Sequence, residues 1–191
     1  MQTIEEVGVA EQTINKSKFY AWAAHCQSKQ EVAAFLRAIA TKHQSASHLA
    51  YAYRIKTPDG IAPRFSDAGE PSGTAGMPIM QMLDGRDLIN ACVGVIRYYG
   101  GVNLGTGGLA RAYGGTARLA LEATKIVPYV EMQELALVVA YNRLDELIRA
   151  VSQIKGKIID KSFDEAVNVK IRLPAIEKQA LIDRFNKNYG E

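Results

Sequence analysis

The stretch RYYGGVNLGTGGLAR, residues 97–111, decides how the chain folds. A nearly continuous apolar run with β-branched residues, 88–99, leads into it and predicts a buried central strand. Behind it, apolar side chains recur at helical spacing and predict a helix to about Thr124: Leu109, Tyr113, Ala117, Ala120 and Leu121. Because free amides at a helix N-terminus can bind an anion, the glycine-rich turn is a candidate binding element.

Two interpretations of this turn remain open, anion binding and a structural role of the glycines, although two common nucleotide-binding motifs fit poorly. Residues 105–110 fit the loose dinucleotide pattern G-x-G-x-x-A, but the turn is too long for a Rossmann unit and no acidic residue ends a second parallel strand. No Lys-Ser or Lys-Thr pair follows, which excludes a Walker loop. The other interpretation is structural: the glycines permit positive φ and close packing of strand on helix. The candidate residues here are Arg97, Tyr98, Gly100, Gly101, Gly105, Thr106, Gly107, Gly108 and Arg111.

A second polar stretch, residues 64–78, lies upstream and overlaps a segment whose three prolines, together with Gly60 and Gly69, predict a long loop from Lys56 to about Gly73. Long loops inside compact domains are often functional, and polar loops on a rigid scaffold form recognition or reaction sites. Alternatively, the hydroxyls and carboxylates satisfy the backbone of their own loop. The candidates are Arg64, Ser66, Asp67, Glu70, Ser72, Gly73 and Thr74.

The rest of the N-terminal part alternates strands and helices. Residues 3–24 predict two strands around a polar turn at 15–18, and Ser28 and Glu31 form a capping box before a helix whose apolar face carries Val32 and Ile39. A tyrosine-rich strand, 48–55, follows, and a short helix is predicted near 74–83. Residues 125–129 suggest a boundary between domains 1–127 and 128–191.

The second domain has a simpler pattern. A strand at 134–141 precedes a helix capped by Asn142, two strands follow at 157–163 and 166–173, and a last helix starts near Pro174. The order β-α-β-β-α is most of a ferredoxin-like unit whose closing strand is missing before the chain ends at 188–191. We therefore predict an α+β fold of two domains.

Composition narrows the function classes without selecting one. The 191 residues carry a net charge of +3 with a pI near 8.8, which is compatible with RNA or an acidic partner but does not imply either. Neither a signal peptide nor a membrane-spanning run is recognisable, so a cytoplasmic location is expected. Cys26 and Cys92 are expected to be buried, reduced thiols.

Chemistry-bearing combinations elsewhere are weak. His43 and His48 lack the spacing of a zinc site, and a triad of His48, Ser66 and Asp67 lacks a nucleophile elbow, so no metal or cofactor is expected. Tyrosines and arginines interleave on two strands, at 51–54 and 97–99. They either stack on nucleic-acid bases or line a half-buried sheet.

Two long motifs in this order resemble the YigZ/Impact family. They are Phe65-Ser66-Asp67 with residues 69–76, and residues 97–101 with 104–109; Lys16-Ser17-Lys18-Phe19 and the strand around His48 fit as well. The resemblance implies an N-terminal domain like the second domain of ribosomal protein S5 and a ferredoxin-like C-terminal domain like domain V of elongation factor G. It also implies a role in regulating translation, as for the eukaryotic relatives. The chain departs from the pattern at Ala68, where many members have aspartate, and at Asn103, where some have lysine.

The function expected from these observations is binding to the ribosome, RNA or a ribosome-associated factor, without catalysis and with an unknown oligomeric state. The alternative is a hydrolase or phosphotransferase that uses the loop 66–74 and the turn 105–108. We further expect both segments to lie side by side on one solvent-facing rim of the sheet, flanked by His48 or Arg54, with the arginines balancing Asp67 and Glu70.

Overall fold

The computed structural model describes residues 1–186 and divides the chain into two compact units, the first of which is 1–129. The strands of this unit are β1 (Gln2–Ile4), β2 (Gly8–Ile14), β3 (Ser17–His25), β4 (His48–Thr57), β5 (Gly60–Ser66), β6 (Ala91–Tyr98) and β7 (Ile126–Pro128). Its helices are α1 (Lys29–Lys42), α2 (Gly76–Asp84) and α3 (Gly105–Glu122). The fold is α+β, as predicted.

A five-stranded antiparallel sheet in the order β2-β3-β6-β4-β5 forms the centre of the first unit. The predicted apolar strand is its middle strand, β6. One face packs small and medium side chains such as Ala21, Ala52 and Val93 under α2 and α3. The other face is covered in part by α1, which packs on β4 and β6 and buries Val32 and Ile39.

Local sequence signals explain several boundaries. Asn15 and Lys16 both have positive φ, 44° and 66°, as the two central residues of a type I′ hairpin turn require. The Ser28 hydroxyl accepts from the Glu31 amide at 3.1 Å, and the Glu31 carboxylate accepts from the Gln27 amide at 2.8 Å. The capping box is therefore present, with its return bond displaced by one residue.

The predicted long loop was wrong over half of its length, because β4 ends only at Thr57 and a further strand follows. Residues 60–66 form β5, which pairs with β4, so the loop proper is 67–75. Pro63 argued against a strand in the sequence, but β5 is an edge strand and an edge position tolerates a residue without an amide hydrogen. The glycine-rich turn is also shorter than expected, since α3 already begins at Gly105.

Two short strands escaped prediction. β1 pairs antiparallel with β7, joining Gln2 to Pro128 and Ile4 to Ile126. The segment 125–129 thus contains the last strand of the first unit, and the structure divides after Tyr129.

The second unit contains β8 (Met132–Val139), α4 (Leu144–Gln153), β9 (Lys157–Phe163), β10 (Val167–Pro174) and α5 (Lys178–Asn186). The sheet order β8-β10-β9 is antiparallel, and Leu147, Val169 and Phe185 contribute to its core. The predicted Asn142 cap was wrong: Asn142 lies in a 3-10 turn, Tyr141–Arg143, and α4 begins after it without a side-chain cap. The prediction that the closing strand is missing falls at 187–191, outside the described residues.

Over residues 1–186, no helix combines the length and the apolar character needed to cross a membrane.

Candidate binding site at one end of the sheet

The antiparallel register brings the two predicted segments to the same end of the sheet. His48, the first residue of β4, is opposite Arg97 near the end of β6, and Lys18 is opposite Tyr98. β5 ends at Ser66, opposite Tyr51. The loop 67–75 and the turn 99–104 therefore leave the sheet on the same side, and the β2–β3 hairpin turn reaches it as well.

Asp67 organises the first loop from within. Its carboxylate accepts hydrogen bonds from the amides of Gly73 (2.9 Å), Ala75 (3.0 Å) and Gly76 (2.8 Å). Burial alone would raise the pKa of Asp67, but these three amides outweigh it and hold the pKa below its ordinary value. The Asp67 carboxylate is thus the internal support of the loop and the start of α2.

Glu70 is the centre of a buried polar cluster. Its carboxylate accepts from the Arg97 guanidinium at 2.9 Å and from the Tyr113 hydroxyl at 2.8 Å. Burial, followed by the hydrogen bond to Glu70, raises the pKa of Tyr113 far above its ordinary value. Both charged partners are almost completely buried, which contradicts the expectation that they balance each other on a solvent-facing rim. The sheet end instead buries them as an ion pair, which avoids an isolated buried charge, although the Arg97 Nε atom itself has no hydrogen-bond partner among the described residues.

Ser17 joins the second segment to this cluster. Its hydroxyl oxygen accepts from the Gly100 amide at 3.2 Å and from Arg97 at 3.4 Å, and the residue is completely buried. Gly100 approaches the hairpin so closely that a Cβ atom there would lie 2.1 Å from the Lys16 carbonyl carbon. Only glycine fits this contact, so Gly100 has a packing role.

His48 connects the first loop to β4. Its Nδ1 atom lies 2.8 Å from the Ala68 carbonyl oxygen, and its Nε2 atom lies 4.0 Å from the Glu70 carboxylate. Thr74 donates to the Pro71 carbonyl at 2.6 Å, and the Ser66 hydroxyl oxygen accepts from the Ala68 amide at 3.2 Å. Most polar groups of the loop therefore satisfy the loop itself.

The N-terminus of α3 forms the outer part of this sheet end. Gly105 has a φ of +69°, and the helix starts without a side-chain cap. Thr106, Gly107 and Arg111 are exposed there, and the Arg111 guanidinium lies 3.5 Å from the position of a Cβ atom on Gly107. Ser72, Gly73 and Gly101 are also exposed.

Three predicted residues lie elsewhere. Arg54 lies towards the opposite end of β4, where its Nε atom contacts the Asp84 carboxylate at 3.0 Å, so it does not flank the loops. Arg64 is exposed on β5 and lines a separate cleft with Arg54. The Tyr98 side chain points to the other face of the sheet, where its hydroxyl contacts His43.

Two members of the cluster were missed as site residues. Ser17 belongs to the quoted Lys16-Ser17-Lys18-Phe19 motif, and Tyr113 was predicted only as part of an apolar stripe. The polar end of Tyr113 was the available signal, because a buried tyrosine hydroxyl requires a partner. In the part of the chain that the structure describes, no three His, Cys, Asp or Glu side chains converge as metal ligands.

Comparison with known proteins supplies the family. The model of the Impact N-terminal domain matches residues 15–121, which is more than half of the chain. The chain belongs to the Impact family. Among Impact relatives, YigZ of Escherichia coli is 36% identical over 163 residues, covering 85% of this chain and 80% of YigZ.

The Impact family member of Thermus thermophilus is 40% identical over 164 residues, 84% of this chain and 86% of that protein. A crystal structure described as a hypothetical protein shares 32% identity and a TM-score of 0.72, over 96% of this chain and 89% of that one. The two-unit α+β fold is therefore shared with a solved structure. A structure of the two-domain translational regulator Yih1 also matches, with 26% identity, a TM-score of 0.42, and coverage of 62% and 47% of the two chains.

Proposed function

We propose that this Impact family protein regulates translation by binding, without catalysis, to the ribosome, RNA or a ribosome-associated factor. Its place of action is then the cytoplasm. The motivation for the link to translation is the resemblance of both motifs to a family with translational regulators among its eukaryotic members.

One observation favours binding over catalysis: the two carboxylates that could act as a general base, Asp67 and Glu70, form hydrogen bonds within the protein. Asp67 accepts hydrogen bonds from three backbone amides of its own loop, and Glu70 is held by Arg97 and Tyr113. A general base must reach the proton that it abstracts, and a nucleophile needs such a base beside it. Neither carboxylate is positioned to activate Ser66 or Thr74, so the hydrolase or phosphotransferase alternative loses its candidate bases.

Exposed cations around the same sheet end support a polyanionic partner. Lys16, Lys18 and Arg111 are exposed, and within residues 1–186 none of them forms an ion pair. RNA phosphates or acidic protein surfaces would be attracted by such unpaired charges. The buried cluster would then hold the loops rigidly while these outer cations meet the partner.

Co-sedimentation with ribosomes tests the proposal. The purified protein should pellet with ribosomes through a sucrose cushion at low salt, and the bound fraction should fall steeply as salt rises. Arg111→Glu should reduce binding several-fold because it reverses an outer charge. Arg118→Glu is the matched control on the same helix, since Arg118 is exposed but already paired with Glu122.

A cell-free translation assay supplies the functional readout. Adding the wild-type protein should change the yield of a reporter, and Arg111→Glu should weaken that change. If the wild type neither sediments with ribosomes nor alters reporter yield, the proposed function is wrong. Nuclease treatment before sedimentation then distinguishes an RNA contact, which is lost, from a protein contact, which persists.

A further inference from the structure

An aromatic cluster lies on the face of the five-stranded sheet opposite α3. The Tyr20 and Trp22 rings are stacked, with centroids 6.4 Å apart and planes inclined by 24°. His43 lies 5.0 Å from Trp22, and Tyr98 stands edge-on to Tyr20 at 6.0 Å. A hydrogen bond of 2.9 Å between His43 and the Tyr98 hydroxyl fixes the arrangement.

Three rings of the cluster stand on strands, Tyr20 and Trp22 on β3 and Tyr98 on β6, and the fourth, His43, caps the C-terminus of α1. On this face α1 packs on β4 and β6 and does not cover the four aromatic rings completely, so they stay partly exposed. The neighbouring side chains of β2 on the same face are exposed to solvent. Val9, the cross-strand partner of Trp22, is 52% exposed. A purely structural aromatic cluster would be covered, whereas this one presents ring surface.

Lysines surround a cleft in front of these rings. The cleft has a volume of about 490 Å³ and is lined by Lys16, Lys18, Tyr20, His43, Tyr98 and Tyr99. Lys18 lies opposite Tyr98 on the neighbouring strand, and neither lysine forms an ion pair in the described part of the chain. Glu11, the cross-strand partner of Tyr20, is an acidic group on the same face.

We propose that this face binds single-stranded nucleic acid, with unpaired bases stacking on Tyr20, Trp22 and Tyr98 and phosphates meeting Lys16 and Lys18. Every base has a π-face, so aromatic side chains on a sheet bind single strands with little sequence preference, and adjacent lysines contribute the salt-dependent part. Exposed rings combined with free cations match this ligand better than an apolar protein partner, which would leave the lysines without counter-charges. The inference rests on the RNA alternative of the proposed function and deepens it, because it names the surface that binds and the single-stranded form of the ligand.

The chain carries its own reporter for this site, because Trp22 is its single tryptophan. An unlabelled RNA of about ten uridines and an unlabelled oligothymidine of the same length should each quench the fluorescence of Trp22 at ~50 mM salt, where phosphate contacts are strongest. Stacking and charge make no distinction between the two backbones, so quenching by both is expected. Quenching by RNA alone supports the site with an added contact to the 2′-hydroxyl.

Variants separate stacking from other causes. Tyr20→Ala should weaken binding by about tenfold or more, and Tyr20→Phe, which keeps the ring, should bind as the wild type. Lys18→Glu, which changes an exposed side chain on β3, should weaken binding and lower the slope of log affinity against log salt by about 0.7 or more. Glu11→Gln should strengthen binding. Tyr141→Ala, which removes an exposed stacked tyrosine of the second unit, is the matched control and should change nothing.

Absence of quenching at about 100 µM oligonucleotide, the weak end of non-specific binding, overturns the proposal and leaves a protein as the occupant of the cleft. Quenching that is equal in Tyr20→Ala, Lys18→Glu and the wild type overturns it too, because the strand then binds another surface. The assay uses purified components, so it can fail while ribosome co-sedimentation succeeds, and the reverse.

Discussion

Replacing Glu70 with glutamine should destabilise the first unit by about 3–5 kcal/mol, because it leaves the Arg97 guanidinium buried without a counter-charge. The size follows from burial: the two side chains are 4% and 7% exposed, and their closest atoms are 2.9 Å apart. The exposed pair of Arg118 and Glu122 has nearly the same separation, 2.8 Å, but its side chains are 52% and 48% exposed. Glu122→Gln should therefore cost only about 0.3–0.5 kcal/mol.

Urea unfolding followed by Trp22 fluorescence measures these free energies in the first unit, provided that the slope with denaturant stays constant between variants. Arg97→Met should cost about as much as Glu70→Gln, and the double variant should cost at least ~2 kcal/mol less than the sum, since it leaves no unpaired charge. Single variants as mild as Glu122→Gln, or costs that simply add, would refute the buried pair as the support of this sheet end.

Three further predictions concern the same region. The pKa of Asp67 in the folded protein lies below its ordinary value of 3.8. Its ionised form therefore stabilises the fold above pH 3.8, and this stabilisation is lost as the pH falls through the pKa of the folded state. Asp67→Asn should flatten this dependence on acid in urea titrations between about pH 2 and 5. Tyr113→Phe removes a donor to a buried carboxylate and should cost about 1.5–3 kcal/mol by the same unfolding assay, so an unchanged value would contradict the hydrogen bond. Gly100→Ala should lower the melting temperature because its Cβ atom would clash with the hairpin backbone. Gly107→Ala should instead stabilise α3 by about 0.5–1 kcal/mol, because its Cβ atom would meet only the end of the Arg111 side chain at an ordinary contact distance of 3.5 Å. Equal effects of the two substitutions would refute the packing role of Gly100.

Regular apolar patterns made much of the fold predictable from the sequence. The run that became β6 is apolar throughout because both of its faces are covered, and the Ser28 cap places α1 to the residue. β5 was missed because Pro63 argues against a strand unless the strand lies at the edge of a sheet. Tertiary pairing decides whether a strand lies at the edge or in the centre, and the local sequence pattern does not contain that information. β1 and β7 were missed because each is three residues long and pairs with a strand more than 100 residues away in the sequence.

The site was predictable in its location but not in its chemistry. Both motifs were recognised as unusual, and the antiparallel register brings them to one sheet end. Residue types alone left open whether Asp67 and Glu70 face a ligand or the protein itself. In the structure, Glu70 is buried and Asp67 is bonded to the amides of its own loop. The aromatic face could not be assembled from the sequence, because Tyr20, His43 and Tyr98 come from three separate segments.

The pairing of β1 with β7 has a consequence for synthesis of the chain. Within the first unit, Gln2 and Ile4 are made early, yet their partners, Pro128 and Ile126, are among the last residues of the unit to appear. Ile4 is 2% exposed in the finished fold, and although β1 also contacts β3 and residues 87–89, the burial of Ile4 is complete only when the far end of the unit has emerged. Closing so long a loop is entropically costly and slow. The first unit therefore cannot complete its fold in step with elongation, and its opening residues must avoid wrong partners until Ile126 arrives.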